Sequence, residues 1–82
     1  MYSIDYLYSY NAINGDAIDP TDRYLLSFMN DDDHLAEVEF EVITTLEGTQ
    51  LIKMSEGVEW LTDEEIKQAY YLLDRWSINN LI

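Results

Sequence analysis

Glu37, Glu39 and Glu41 alternate with Ala36, Val38, Phe40 and Val42. A period of two, with β-branched and aromatic residues, predicts a strand with one apolar face and one face of carboxylates alone. Side chains two residues apart on a strand lie roughly 6.8 Å apart, so the three glutamates would form a ladder about 13 Å long. Such a row attracts cations or a basic surface. It also repels itself, by roughly 0.6 kcal/mol per adjacent pair even in bulk-water dielectric. A sequence shaped by stability alone would intersperse lysine on this face. The competing reading is a solvated face that keeps an edge strand from aggregating.

Asp31, Asp32, Asp33 and His34 are metal-ligand types in a row. A calcium loop needs oxygens at alternating positions and a glycine at its sharp turn, and the spacing of this run does not match that pattern. A zinc site needs further ligands from elsewhere, and His34 is the only histidine. The run therefore reads as a solvated turn, with no metal or other cofactor expected. Paired carboxylates can do acid–base work, but among 17 acids on 82 residues pairs arise unavoidably. Neither a nucleophile elbow nor a glycine-rich phosphate loop is present. The chain is not expected to be an enzyme.

The whole composition points the same way as the ladder. Seventeen acids face four Lys and Arg, for a net charge of −13. Residues 31–59 hold nine acids and one Lys, so this stretch carries −8 of that charge. Direct nucleic-acid binding needs a basic footprint, and an anionic membrane surface would repel the chain. Yet 48% of residues are hydrophobic and 13% aromatic, unlike a disordered acidic tail. There is no Cys, so neither disulfides nor thiolate metal sites can form. The start, Met1 to Asp5, lacks the features of a signal peptide, and no apolar run approaches the roughly 20 residues of a membrane span. A single domain over 1–82, located in the cytoplasm, is the expectation.

These residues need elements to position them. Ile4, Tyr6, Tyr8 and Tyr10 alternate with polar residues, apart from Leu7, as in a strand. Asn14-Gly15-Asp16 is a turn. Asp19-Pro20 followed by Tyr24, Leu25, Phe28 and Met29 predicts a short helix over 20–29, with a fully buried strand as the alternative. Glu47-Gly48-Thr49-Gln50 is a hairpin turn that returns Leu51 to Met54 against the Glu37–Glu41 strand. Thr62 and Glu65 form a capping box for a helix over about 62–76, with Ile66, Ala69, Tyr70, Leu73 and Trp76 as its apolar stripe. The fold class is α+β: a small antiparallel sheet of three or four strands with this C-terminal helix on one face. Val38, Phe40, Val42, Ile66, Tyr70, Leu73 and Trp76 are the expected core, joined by Tyr6 and Tyr8.

Tyr2, Tyr10 and Tyr71 fall at strand ends or off the helical stripe. Tyrosine there suits an interface. Together with Asp31, Asp32, Asp33, Glu37, Glu39, Glu41, Glu47, Glu56 and Glu59 they make up the candidate partner-binding set. A regular row of carboxylates on a rigid strand imitates the phosphates along a nucleic-acid strand. A basic nucleic-acid-binding protein, such as a nuclease or CRISPR effector, would meet it as it meets its own ligand.

In size, charge and compactness the chain resembles a class of small acidic inhibitors from phages and plasmids. These act on restriction enzymes, CRISPR effectors and uracil-DNA glycosylase. The resemblance is compositional, the class has no shared fold, and no site residues carry over. It implies a non-enzymatic nucleic-acid mimic acting in a host bacterial cytoplasm. The alternatives are a bacteriocin immunity protein, an antitoxin-like binder of a basic protein, or an acidic structural subunit.

Overall fold

In the computed structural model, which describes residues 1–81, four antiparallel strands pair in sequence order. They are β1 (Tyr2–Asn14), β2 (Ala17–Met29), β3 (Leu35–Thr44) and β4 (Gln50–Met54). A single 3-10 turn at Val58–Trp60 leads into the helix α1 (Asp63–Asn80). The α+β class, the β3–β4 hairpin and the C-terminal helix agree with the sequence.

The core lies between α1 and one face of the sheet. Leu26 pairs with Ile4 and Val38, Phe28 with Ala36, and Tyr24 with Phe40, which places these residues in register on that face. Leu26, Phe28, Ala36, Val38, Phe40 and Val42 are buried there against Ala69 and Leu73 of α1. Tyr24 stacks on Phe40 at 5.3 Å, and Trp76 meets both rings edge-on at 5.2 and 5.4 Å.

Residues 20–29 form a strand and not a helix. Tyr24, Leu25, Leu26, Phe28 and Met29 fit both periods, so the pattern alone does not decide. Position decides: β2 is a central strand, bonded to β1 on one side and β3 on the other. Pro20, which suggested a helix start, sits beyond the last β2–β3 pair, Thr21↔Ile43. One side of β2 has no neighbour there, and a missing N–H can be tolerated.

A bulge breaks the alternation of β1. The register moves from Tyr6↔Tyr24 to Tyr8↔Arg23, leaving Leu7 as the extra residue. Tyr6 thus shares the helix-covered face, while Tyr8 and Tyr10 turn to the opposite face. Tyr6, Tyr8 and Tyr70, expected in the core, are 58%, 49% and 60% exposed. A helix about 10 Å across spans only about two strands at a spacing near 4.8 Å, so it leaves the edge strand β1 largely uncovered. Tyr70 follows the buried Ala69 and points off the packed side of α1. Ile66 and Trp76 are half-buried.

The helix begins as expected and ends later. Glu65 N–H donates to Thr62 Oγ1 at 3.2 Å and Thr62 N–H to Glu65 Oε1 at 2.9 Å. The other Glu65 oxygen accepts from Asn30 Nδ2 at 2.9 Å, tying the helix start to the β2–β3 turn. The Thr62 backbone bond, then the Asn30 side-chain bond, hold the Glu65 carboxyl below its usual range. α1 continues past residue 76 to Asn80, and Leu81 packs against the core. Ile82, whose packing the sequence left open, lies outside the described residues.

Candidate protein-binding surface

The sheet face away from α1 is where the three glutamates meet. Glu37 pairs with Ser27, Glu39 with Leu25, and Glu41 with Arg23 and Lys53. They share one face, opposite Val38, Phe40 and Val42, as the alternation requires. Their surroundings, however, differ along the row.

Arg23 rises between them from β2, with its side chain only 12% exposed. Its Nε donates to Glu39 Oε1 at 2.8 Å, and its Nη1 lies 3.5 Å from Glu41 Oε2. Its Nη2 donates to Ser55 Oγ at 3.0 Å and lies 3.6 Å from Glu56 Oε1. Glu41 is buried and also accepts a hydrogen bond from the Tyr10 hydroxyl. The expected row of outward carboxylates therefore needs correction. Glu37 is exposed, Glu39 is half-buried and Glu41 is an internal counterion. Arg23 offsets the repulsion between neighbours that the bare ladder would suffer.

The chain beyond β4 adds more acid to this region. Ser55 N–H donates to Glu39 O, and Glu39 N–H to Glu56 O, so the segment after Met54 stays bonded to β3. Gly57 then turns with φ 96° close against β3, where a Cβ would stand 3.2 Å from Glu37 O. This close approach demands glycine. It brings Glu56, Glu59 and Trp60 to the start of the ladder. Leu25, Glu37, Glu39, Glu56, Glu59 and Trp60 line an open hollow of about 380 Å³.

Trp60 is 82% exposed and was missed in the sequence. A signal was there: it stands two residues before the N-cap Thr62, outside the apolar stripe of α1. An exposed Trp beside carboxylates can hold an arginine or lysine side chain by its ring face while they neutralise the charge.

The remaining candidates lie apart from this hollow. Asp31, Asp32 and Asp33 are exposed in the β2–β3 turn, where Asn30 Oδ1 accepts from the backbone of Asp32 and His34. Asp31 and Asp32 border a second hollow with Glu64 and Glu65 at the start of α1. Glu47 is exposed in the β3–β4 turn. Tyr2 adjoins Met29 and Leu35 around an apolar hollow at the other end of the sheet. The Tyr71 hydroxyl accepts from Arg75 Nη1 at 3.2 Å, and that guanidinium lies 5.6 Å from its ring centre. Among the described residues no three acids or histidines are grouped to hold a metal ion, and no helix is long and apolar enough to cross a membrane.

The Tyr10–Glu41 contact has a consequence at alkaline pH. The hydrogen bond to Glu41, then burial, then the Glu41 charge hold the Tyr10 hydroxyl above its ordinary pKa. A folded pKa above the unfolded value of about 10 gives stability that is full below pH ~10 and lost as pH rises through the folded value. Burial raises Tyr24 as well. Ultraviolet titration of the seven tyrosines should show a late-ionising group, and Tyr10→Phe should reduce it. Seven tyrosines ionising together near pH ~10 would contradict this contact.

No protein-family model matches this chain, and no solved structure matches it either.

Proposed function

We propose that this protein is a non-enzymatic inhibitor that mimics nucleic acid and blocks the DNA- or RNA-binding site of a basic partner. The nuclease or CRISPR effector of a bacterial defence system is the partner class, and a phage anti-defence role in the host cytoplasm is the setting. The observation that carries this reading is the open hollow lined together by Glu37, Glu39, Glu56, Glu59 and the exposed Trp60.

Glu37 and Glu39 stand on a central strand, and Gly57 locks the segment that carries Glu56 and Glu59 against that strand. Binding therefore orders little of the backbone, which keeps its entropic cost low. Five carboxylates, counting Glu41, share this region with Arg23 and Lys53. The excess negative charge would steer a basic cleft towards it and release the anions bound there. Trp60 would supply an aromatic anchor whose apolar packing salt screens less than it screens the carboxylate contacts.

Stability and binding can be separated, because the acids divide into two groups. Glu39 and Glu41 hold Arg23 from within the sheet, whereas Glu37, Glu56 and Glu59 are exposed, Glu56 reaching Arg23 only through a solvent-facing contact at 3.6 Å. The triple variant Glu37→Gln, Glu56→Gln, Glu59→Gln should melt within about 0.5 kcal/mol of the parent, as exposed substitutions do. Immobilised at low salt in a bacterial lysate, the parent should capture nucleic-acid-binding proteins that added duplex DNA displaces. The triple variant should capture far less of them. Capture that DNA does not disturb would favour the immunity-protein or antitoxin-like reading, and stoichiometric capture of an active assembly would favour the structural subunit.

A further inference from the structure

β1 and β4 are the two edges of the sheet, and they are built differently. β4 has five residues, carries Lys53 and is flanked by Glu47 and Glu56. Short length and charge are the usual guards against unwanted strand pairing. β1 has 13 residues, with Asp5 as its one charged residue and neither Lys nor Pro. Its guard is the bulge at Leu7. Beyond that bulge the run Tyr8–Ile13 contains no charge.

The same run lies in the least supported part of the sheet. β2 last meets β3 at Thr21↔Ile43, so residues 11–14 and 17–20 pair only with each other. Ile13 and Ile18 face each other there, 81% and 56% exposed. A two-stranded ribbon on its own is marginally stable in water.

We propose that β1 forms the interface of a two-fold dimer, with Ser9–Ile13 paired antiparallel to the same run of a second copy, so that Asn11 faces its own counterpart across the axis. Charge identifies the occupant. Two copies at −13 each repel wherever their acids meet, and this run carries none of its own; the acids paired with it, Asp19 and Asp22, stand one strand back on β2. Antiparallel pairing about a two-fold axis is self-complementary, as a like-with-like contact requires. It turns the ribbon into four strands and joins the two sheets into one of eight. Residues 31–59, with their −8, stay on the far side of β2 in each copy. The two β3 ladders would stand five strand spacings apart, about 24 Å, well beyond the Debye length of about 8 Å at physiological salt.

Sedimentation velocity at ~100 µM, a concentration that reveals weak complexes, should detect a species of twice 9.6 kDa. Its fraction should grow between ~0.05 and ~0.5 M salt, because screening weakens the repulsion between copies. A complex of carboxylates with a basic partner responds in the opposite sense, so the failure of one reading is distinguishable from failure of the other. The chain has no cysteine, which makes single-cysteine variants clean reporters. Asn11→Cys should form a disulfide-linked dimer on mild oxidation, since Cα atoms about 4.5–5.5 Å apart across such a pair suit a disulfide. Ile78→Cys, on the exposed side of α1, should not. Ile13→Asp should raise the dimer dissociation constant roughly tenfold or more through like-charge repulsion, with an unchanged circular dichroism spectrum. Sedimentation as a 9.6 kDa monomer at both salts, or cross-linking of Ile78→Cys as readily as Asn11→Cys, would overturn the proposal.

Discussion

Phe40→Ala is expected to cost about 3–5 kcal/mol and to unfold much of the population at modest temperature. Phe40 is fully buried at the centre of the sheet. It stacks on Tyr24 and meets Trp76 edge-on, so one deletion unsettles the strand β2 and the helix α1 together. The cavity would open between sheet and helix, where neighbouring rings cannot collapse without losing their own contacts. A domain with roughly 5–15 kcal/mol of total stability has little margin for such a loss. Thermal denaturation followed by circular dichroism measures it. A variant that melts like the parent would mean that the two faces of β3 have been exchanged.

Arg23→Ala should be the most damaging change on the opposite face, at about 3 kcal/mol, the lower end for breaking a buried ion pair. The guanidinium serves Glu39, Glu41 and Glu56 at once, and also donates to Ser55. Without it Glu41 remains buried, with Tyr10 as a donor and only Lys53, its exposed cross-strand neighbour on β4, left as an opposing charge. Adding Glu41→Gln to Arg23→Ala should recover part of the loss, because the stranded charge disappears. A double-mutant cycle between the two positions gives the coupling. Arg23→Ala melting within about 0.5 kcal/mol of the parent, the range of ordinary surface changes, would place this arginine in solvent and restore the ladder as three equivalent carboxylates.

That arginine also shows where reading the sequence stopped. The strand at Glu37–Glu41 was legible because its alternation is local and strict. So was the start of α1, because the Thr62–Glu65 box closes within four residues. Residues 20–29 were not legible, since a central strand buried on one face and crowded on the other loses its alternation. The bulge at Leu7 leaves the sequence pattern unchanged while it turns Tyr8 and Tyr10 to the other face. Arg23 lies 16 residues from Glu39 and 32 from Ser55, and only the β2–β3 register brings them together. Of the candidate acids, Glu37, Glu39, Glu56 and Glu59 converge on one hollow, while Asp31, Asp32, Asp33 and Glu47 occupy separate turns. Trp60 became visible as part of that hollow through the close approach of Gly57 to β3, a non-local contact.

The most direct test of nucleic-acid mimicry is competition for a single binding site. A captured partner, purified, is loaded with a fluorescent duplex, and the anisotropy is followed as this protein is added. Mimicry predicts full displacement of the duplex, an apparent affinity that weakens from ~0.05 to ~0.5 M salt as screening grows, and a marked loss of potency in the Glu37→Gln, Glu56→Gln, Glu59→Gln variant. A complex that forms with unchanged affinity across that salt range and leaves the duplex bound would contradict the account.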